Sequence, residues 1–309
     1  MKKFATILAV ICCLVLISSA CFAEGDVASN EAELIKRLRE VPEFKFQNHK
    51  EGIGEGKAPV YTAPSTDAYR CADGRARCDF SEPIGESNYV DGWLMVRYQI
   101  SETSMRVGYV QKKYLQGFDF VSHMPKLKME RVPLTAAKDI GITDDPSMDG
   151  VAFGVIRKGE TFYVLMKYTY TGNWWYVECE IEGKQARGFI DRNNAMVYIG
   201  ENVTPTEETK VYTLSLIGYP EESPNGEKQI GHVVINPGQR KPVKNKPEKA
   251  ATQITVAYPD RYYPCYAVSE KKNGQEWYYI WVETDSKWGW VSSINGTFET
   301  LEGLLPLNR

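Results

Sequence analysis

The amino-acid sequence predicts an all-β protein with one short helix near its N-terminus. The first observation is that short segments of aromatic and β-branched residues recur along the chain, with turn residues between them about every ten positions. The second is that a segment beginning with tryptophan, followed by a Gly–aromatic–aliphatic segment, occurs three times. Self-similarity of this kind is typical of tandem small domains, so we expect three β-units.

Each tryptophan segment alternates in the manner of a β-strand. In residues 174–181, Trp175 and Val177 alternate with Trp174 and Tyr176. Because successive side chains of a strand point to opposite faces, the first pair is assigned to the core and the second to the other face. The three copies comprise residues 93–98 with 108–110, 174–181 with 188–190, and 277–282 with 289–291.

A secretory signal peptide is predicted at residues 1–23. Two lysines precede an apolar run at residues 4–17, and small residues follow it before the expected cleavage after Ala23. The run is too short to span a bilayer, which needs ~20 residues, so no transmembrane segment is expected in the mature chain. Lipidation of Cys21 is the less favoured alternative, because Ser18 stands where a lipoprotein signal has leucine. The mature protein is therefore expected to be secreted or associated with the cell envelope.

The charge of the chain argues against a nucleic-acid surface. The full chain has a formal net charge of −3, and removal of Lys2 and Lys3 with the signal lowers it to −5. Proteins that bind nucleic acid usually carry a basic excess. The sequence therefore predicts no nucleic-acid partner.

The cysteines outside the signal peptide are Cys71, Cys78, Cys179 and Cys265. Because an exported protein can form disulfides and Cys71 and Cys78 flank a glycine, these two are candidates for a disulfide that staples one loop. Free thiols are the alternative. The chain has neither a Cys-x-x-Cys spacing nor a His-Glu-x-x-His motif, so the sequence predicts no metal site and no cofactor.

The order of the motifs resembles the bacterial SH3-like (SH3b) family. The usual unit of that family reads Val-Arg-x-x-Pro-Ser, Ile-Gly-x-aliphatic-x-x-Gly, Gly-Trp-Tyr-x-Val and then Gly-Trp-Val. The second copy matches nearly throughout, from Ile142 to Ile190, and the Ile-Gly motif of the third copy is assigned to residues 230–238. The first copy matches only at its edges. The resemblance implies tandem small SH3-like barrels and a non-catalytic role, commonly tethering to peptidoglycan or to peptides.

The expected segments are a signal peptide at 1–23, an N-terminal helical segment and linker at 24–52, and SH3-like barrels at 53–120, 130–200 and 206–300. A capping asparagine and strong helix formers predict a helix at 30–39, packed on the first β-unit or frayed. The third barrel is expected to carry an insertion near 241–263. Its basic, proline-interrupted start is interpreted as a solvated loop, with contact to an anionic wall polymer as the minor alternative.

The candidate ligand-binding residues are aromatic. Trp93, Trp174 and Trp277 occupy equivalent positions on the face opposite the assigned core. In eukaryotic SH3 barrels the first residue of the Trp-Trp pair lines the peptide groove, so the resemblance implies a groove at these three positions. Tyr279 and Trp281, from the aromatic-rich third copy, complete the set, because exposed aromatics suit sugars and peptides. A scaffold role is the alternative for the three tryptophans.

Three other aromatic residues, Trp175, Tyr278 and Trp290, are assigned to the core because they alternate with outward positions. The acidic pair Asp144 and Asp145 lies in a proline turn and is interpreted as solvated. These assignments place the large side chains before any function is considered.

The sequence does not predict an enzyme. Its histidines are His49, His123 and His232, and none is placed to activate a cysteine. The expected function is therefore non-catalytic extracellular binding, to cell-wall peptidoglycan or to a peptide, through aromatic grooves. The alternative is a structural or adaptor protein whose barrels bind another secreted or surface protein.

Overall fold

The structure is a computed structural model that describes residues 30–49, 53–102, 104–116, 128–146, 152–168, 174–192, 194–259, 261–271 and 274–300. It consists mainly of β-strands, with an N-terminal helix at residues 30–40 and a single-turn helix at Leu214–Ile217. The all-β class and the short N-terminal helix are thus confirmed. The predicted signal peptide at 1–23, with Cys21, lies outside the described residues. Among the helices that are described, none is long and apolar enough to cross a membrane.

The strands form three consecutive β-units. The first contains β1 Gln47–His49, β2 Lys57–Pro59, β3 Arg77–Asp79, β4 Ile84–Val90, β5 Trp93–Gln99 and β6 Met105–Gln111. The second contains β7 Val132–Ala136, β8 Ile140–Thr143, β9 Ala152–Ile156, β10 Thr161–Tyr168, β11 Trp174–Ile181, β12 Lys184–Asp191, β13 Met196–Ile199 and β14 Tyr212–Thr213. The third contains β15 Gly231–Ile235, β16 Lys241–Lys244, β17 Gln253–Ala257, β18 Tyr262–Val268, β19 Trp277–Val282, β20 Lys287–Ser292 and β21 Gly296–Thr300.

The second and third units share one topology. Apart from the added edge strand β14, the second sheet has the order β13-β7-β10-β11-β12-β8-β9, and the third has β21-β15-β18-β19-β20-β16-β17. In both sheets the last strand pairs with the first, and the first pairs with the fourth. The first unit contains the same central meander, β4-β5-β6, and a separate β2-β3 hairpin. In every unit the tryptophan strand (β5, β11 or β19) is therefore the middle strand of an antiparallel meander.

The topology corrects the expected starts of the first and third units and the expected insertion. Strand β1 pairs with β4, so the first unit begins before residue 53. Strand β14 pairs with β13, so residues 212–213 belong with the second sheet, and the third sheet starts at β15. Residues 241–257 form the β16-β17 hairpin, which is equivalent to the β8-β9 hairpin, so the expected insertion near 241–263 is a regular part of the fold. The assignment of the Ile-Gly motif to residues 230–238 is wrong. These residues contain β15, which is the first strand of the third unit and not one of its middle strands.

Each unit has its own core, and alternate side chains of the tryptophan strands are buried in it, as predicted. Trp175 and Val177 are fully buried in the second core, and Tyr278 is buried in the third. The N-terminal helix also belongs to the second core, to which it contributes Leu34 and Leu38. The helix therefore packs on the second unit, not on the first as expected.

Candidate functional site

Trp93 and Trp174 lie between the first and second units. A separate apolar cluster joins the outer faces of the two meanders, and both tryptophans are buried in it, with 8% and 7% of their surface exposed. The other buried members of this cluster are Phe44, Met95, Val107, Tyr109, Leu165, Met166, Tyr168, Tyr176 and Phe189. The prediction that the Trp93 and Trp174 side chains are exposed to solvent is therefore wrong, although Trp174 lines a concavity of about 360 Å³ with Asp139 and Thr143. Alternation placed these side chains on the correct face, but that face is covered by a neighbouring unit.

Polar contacts fix the same interface. The carboxylate of Glu178 accepts a hydrogen bond from Arg187 Nε at 2.7 Å, and Arg187 Nη1 donates to the Tyr109 hydroxyl of the first unit at 3.2 Å. Glu178 is buried, and its guanidinium partner is nearly so. A buried carboxylate is stable as an anion only when it is paired in this way. The two units are thus held by matched polar groups as well as by apolar contact.

The acidic pair of the proline turn is also part of this interface. Asp144 and Asp145 are 7% and 6% exposed, so the expectation of a solvated turn is wrong. Asp144 forms an ion pair with Arg106, and its carbonyl accepts a hydrogen bond from Val107 N at 2.7 Å. The Asp145 carboxylate accepts a hydrogen bond from Met105 N at 3.1 Å. Both residues are structural, because the Asp145 carboxylate and the Asp144 carbonyl satisfy the backbone of strand β6 and the Asp144 carboxylate pairs with Arg106.

Trp277, the third predicted groove residue, is also buried, with 7% of its surface exposed. It opens β19, and its backbone N–H donates to the Ser269 hydroxyl at 3.0 Å. The prediction that it faces solvent is therefore wrong as well. Tyr279 and Trp281, further along the same strand, are only half-buried.

Four half-buried rings form a continuous aromatic ladder on the third unit. The ladder comprises Trp281, Trp288, Tyr279 and Trp290. Centroid separations along it are 5.0 Å from Trp281 to Trp288, 5.6 Å from Trp288 to Tyr279 and 4.9 Å from Tyr279 to Trp290. These distances lie in the range of favourable aromatic pairs. The ladder is the largest grouping of partly exposed aromatic rings that the described residues form.

The register of β19 and β20 creates the ladder. Tyr279 is paired with Trp290, and Trp281 with Trp288, so all four side chains lie on one face of the sheet. The residues between them on β19, such as Ile280, are buried in the core on the opposite face. Trp290 is accordingly on the outer face and half-buried, which corrects its assignment to the core. Sequence reasoning missed Trp288 and Trp290 because the cross-strand pairing was not worked out for this hairpin.

The two sides of the Tyr279–Trp290 pair differ in charge. Lys244, on β16, is paired with Trp290, so its side chain continues the cross-strand line from Tyr279 through Trp290. On the other side, burial and then the charge of Glu227 raise the pKa of Tyr279. The Glu227 carboxylate accepts hydrogen bonds from the Ser223 hydroxyl and from the side-chain amide of Asn225. The Tyr279–Trp290 pair is thus a rigid apolar surface between a cation and an anion.

Another candidate site is a concave pocket between the first two units. It has a volume of about 670 Å³, and its lining includes Arg70, Asp73, Glu182 and Lys184. Two of these charges already have partners, since Arg70 donates to backbone carbonyls and Asp73 pairs with Arg75. The aromatic ladder is therefore the stronger candidate for ligand binding.

The thiols are buried and free. Cys71 and Cys78 lie in the first core as free cysteines, so the structure does not contain the candidate disulfide. Burial raises the pKa of Cys78, Cys179 and Cys265 to about 12, and it also raises that of Cys71. A thiol that stays protonated at neutral pH is a poor nucleophile.

The histidines lie in places that differ in how far the structure describes them. His232 is buried in β15, His123 lies outside the described residues, and the side chain of His49 is not described. No group of three potential metal ligands occurs among the residues that the structure describes.

No protein-family model matches the sequence, and a search of curated proteins finds no match.

Proposed function

We propose that this protein is a non-catalytic extracellular binding protein that engages cell-wall peptidoglycan or an extracellular peptide. The observation that carries the proposal is the aromatic ladder on the outer face of the third unit. Rigid aromatic rings offer a large contact area at a low cost in conformational entropy, and their polar edges suit sugars and peptides. Tyr279 and Trp281 from the predicted set remain in the proposed site, and Trp288 and Trp290 join them.

The proposal includes SH3-like barrels as the finer description of the three units. Its support is the recurrence of a hairpin and a meander with tryptophan on the middle strand. The pairing of the last strand to the first in the second and third units is a further feature that supports this description. The extracellular location rests on the predicted signal peptide at residues 1–23, with the lipid anchor at Cys21 as its alternative.

The alternative is a structural or adaptor protein that binds another secreted or surface protein. One observation favours it, because the first two units bury their outer faces against each other and so form a single rigid support. In that function the third unit would present the ladder to a protein partner. Fully desolvated aromatic anchors are typical of protein interfaces.

A sedimentation assay with insoluble peptidoglycan tests the proposal. The wild-type protein is expected in the pellet, and Trp288→Ala, which removes a central ring of the ladder, is expected in the supernatant. The matched control is Trp93→Phe, a conservative change at the buried interface of the first two units, which should still sediment. A wild-type protein that stays in the supernatant with peptidoglycan and co-purifies with one protein partner would favour the adaptor function.

A further inference from the structure

We propose that the aromatic ladder selects an acidic sugar chain, with the anionic group of the ligand paired to Lys244. This inference rests on the proposed function and names the ligand class of the same site. The cross-strand register places Tyr279, Trp290 and the Lys244 side chain next to one another on one face of the sheet. A sugar ring that stacks on the ladder therefore carries its substituents toward a cation.

The cation beside Trp290 is available. Lys244 Nζ donates to the Lys249 carbonyl, a neutral acceptor, and no carboxylate pairs with Lys244 among the residues described by the structure. The turn beyond it adds Lys246 and Lys249, both exposed, against a single acid, Glu248. The hairpin therefore presents unpaired positive charge beside Trp290.

The Tyr279 side of this pair disfavours an anion. Burial and then the charge of Glu227 raise the pKa of Tyr279, and the Glu227 carboxylate is held by Ser223 and Asn225. A negatively charged ligand group is therefore attracted on the Lys244 side of Trp290 and repelled on the Tyr279 side. The acidic group of a bound sugar is consequently expected beside Lys244.

The charge of the hairpin is local and opposes that of the whole chain. The formal net charge is −3, so an anionic polymer gains no long-range attraction from the protein as a whole. Any preference for anions must then come from groups within about one Debye length, ~8–10 Å, of the bound chain. Lys244 lies within this range of the ladder because it is the cross-strand neighbour of Trp290.

The test measures the affinity of the full mature chain for defined probes by calorimetry at low salt. Chitohexaose is the neutral sugar chain, and a hyaluronan hexasaccharide and a phosphorylated dextran of similar length supply carboxylate and phosphate. Poly-L-glutamate supplies negative charge without sugar rings. We expect both acidic sugar chains to bind at least fivefold more tightly than chitohexaose, and poly-L-glutamate to bind more weakly than either. The stronger of the two acidic chains identifies the preferred anionic group.

Three variants locate the interaction. Lys244→Gln should weaken binding of the acidic chains about three- to fivefold, the range of an exposed ion pair, and leave chitohexaose unchanged. Glu227→Gln keeps the hydrogen-bonding shape but removes the repelling charge, so it should tighten binding of the acidic chains. Lys287→Gln is the matched control, because Lys287 precedes Trp288 on β20 and therefore points to the opposite face.

The outcomes separate the inference from the proposed function. Equal binding of neutral and acidic sugar chains, with no effect of Lys244→Gln, would overturn the inference and leave the proposed function standing. Tightest binding to poly-L-glutamate would overturn the sugar assignment in favour of an acidic protein. Absence of binding to every probe and to peptidoglycan would overturn both.

Discussion

Arg192 and Glu283 form an ion pair at the junction of the second and third units, with Arg192 Nη1 2.8 Å from Glu283 Oε2. The Arg192 side chain is completely buried, and its guanidinium lies over the rings of Trp175 and Tyr219. The other oxygen of Glu283 faces Lys167 Nζ at 3.9 Å. One carboxylate of the third unit therefore stands against two cations of the second, and this places the third unit relative to the other two.

Glu283→Gln is expected to destabilise the protein strongly. It leaves Arg192 and Lys167 close together without a compensating carboxylate, and loss of one partner of a buried ion pair costs about 3–5 kcal/mol. Equilibrium unfolding in urea measures the loss. The matched control is Asp139→Asn, since Asp139 pairs with Arg157 at 2.9 Å but both side chains are more than half exposed. That change should cost far less stability, because water screens the exposed pair. Similar losses for the two variants would contradict the structural importance of the junction.

His232 makes the stability of the third unit sensitive to acid. Burial, and then the charge of Arg192, lower its pKa from the usual 6.5 to about 4. The rings of Tyr219 and Tyr262 also face the imidazole. A base with a lowered folded-state pKa binds protons more readily when unfolded. Its contribution is therefore fully present above pH 6.5 and is lost as the pH falls from 6.5 toward 4.

The measurement compares the wild type with His232→Phe between pH 7.5 and pH 4.5. The difference in unfolding free energy should change by roughly 1.4 kcal/mol per pH unit below pH 6, with the wild type becoming relatively less stable. Subtracting the variant removes the contribution of carboxylates that titrate in the same range. A difference that stays constant with pH would show that His232 is accessible to protons in the folded state.

The cysteines should be unreactive in the folded protein. Cys71, Cys78, Cys179 and Cys265 are buried, and the pKa of each is raised by that burial. A thiol-specific chromogenic reagent at pH 8 should react with none of them within minutes, and with all four after unfolding in urea without reductant. Reaction of only two thiols after unfolding would show that Cys71 and Cys78 form the disulfide after all.

The sequence predicts the strands and most of the residues that face the cores correctly. It does not predict correctly which residues on the opposite faces are exposed to solvent. Alternation depends on local backbone geometry, so Trp175 and Tyr278 were assigned correctly to cores. Whether the opposite face meets water depends on packing between units, which alternation does not encode. Trp93 and Trp174 were misplaced for this reason, since the first two units cover each other.

The candidate site was predictable only in part. Tyr279 and Trp281 were found because aromatic residues crowd the third copy. Trp290 was misassigned and Trp288 was not selected, because the position of a ring on a sheet face requires the pairing register of two strands. The sequence predicts an insertion where the structure has the β16-β17 hairpin. The pairing of Lys244 with Trp290, which places this lysine beside the ladder, is therefore known from the structure alone.

Truncation of Trp174 should cost more stability than truncation of Val177, although sequence alternation alone suggested the reverse. Both side chains are buried, Val177 at 0% exposure in the second core and Trp174 at 7% between the first two units. Removal of a large buried aromatic ring typically costs about 3–5 kcal/mol, because it leaves a cavity as well as losing apolar contact. Val177→Ala removes only two methyl groups and should cost about 2 kcal/mol, from ~0.8 kcal/mol for each buried carbon and the small cavity that remains.

Two measurements test this prediction. The first is urea unfolding of both variants, monitored by tryptophan emission, and the second is limited proteolysis of the junction between the first two units. The Trp174→Ala protein should also release the first unit to protease earlier than Val177→Ala does, since its cavity opens at the interface and not within one core. The control is Trp174→Phe, which keeps most of the apolar contact and should lose less than half as much stability. If Trp174→Ala is as stable as the wild type, the outer faces of the first two units are not packed together in solution. Trp93 and Trp174 would then return as candidates for ligand binding.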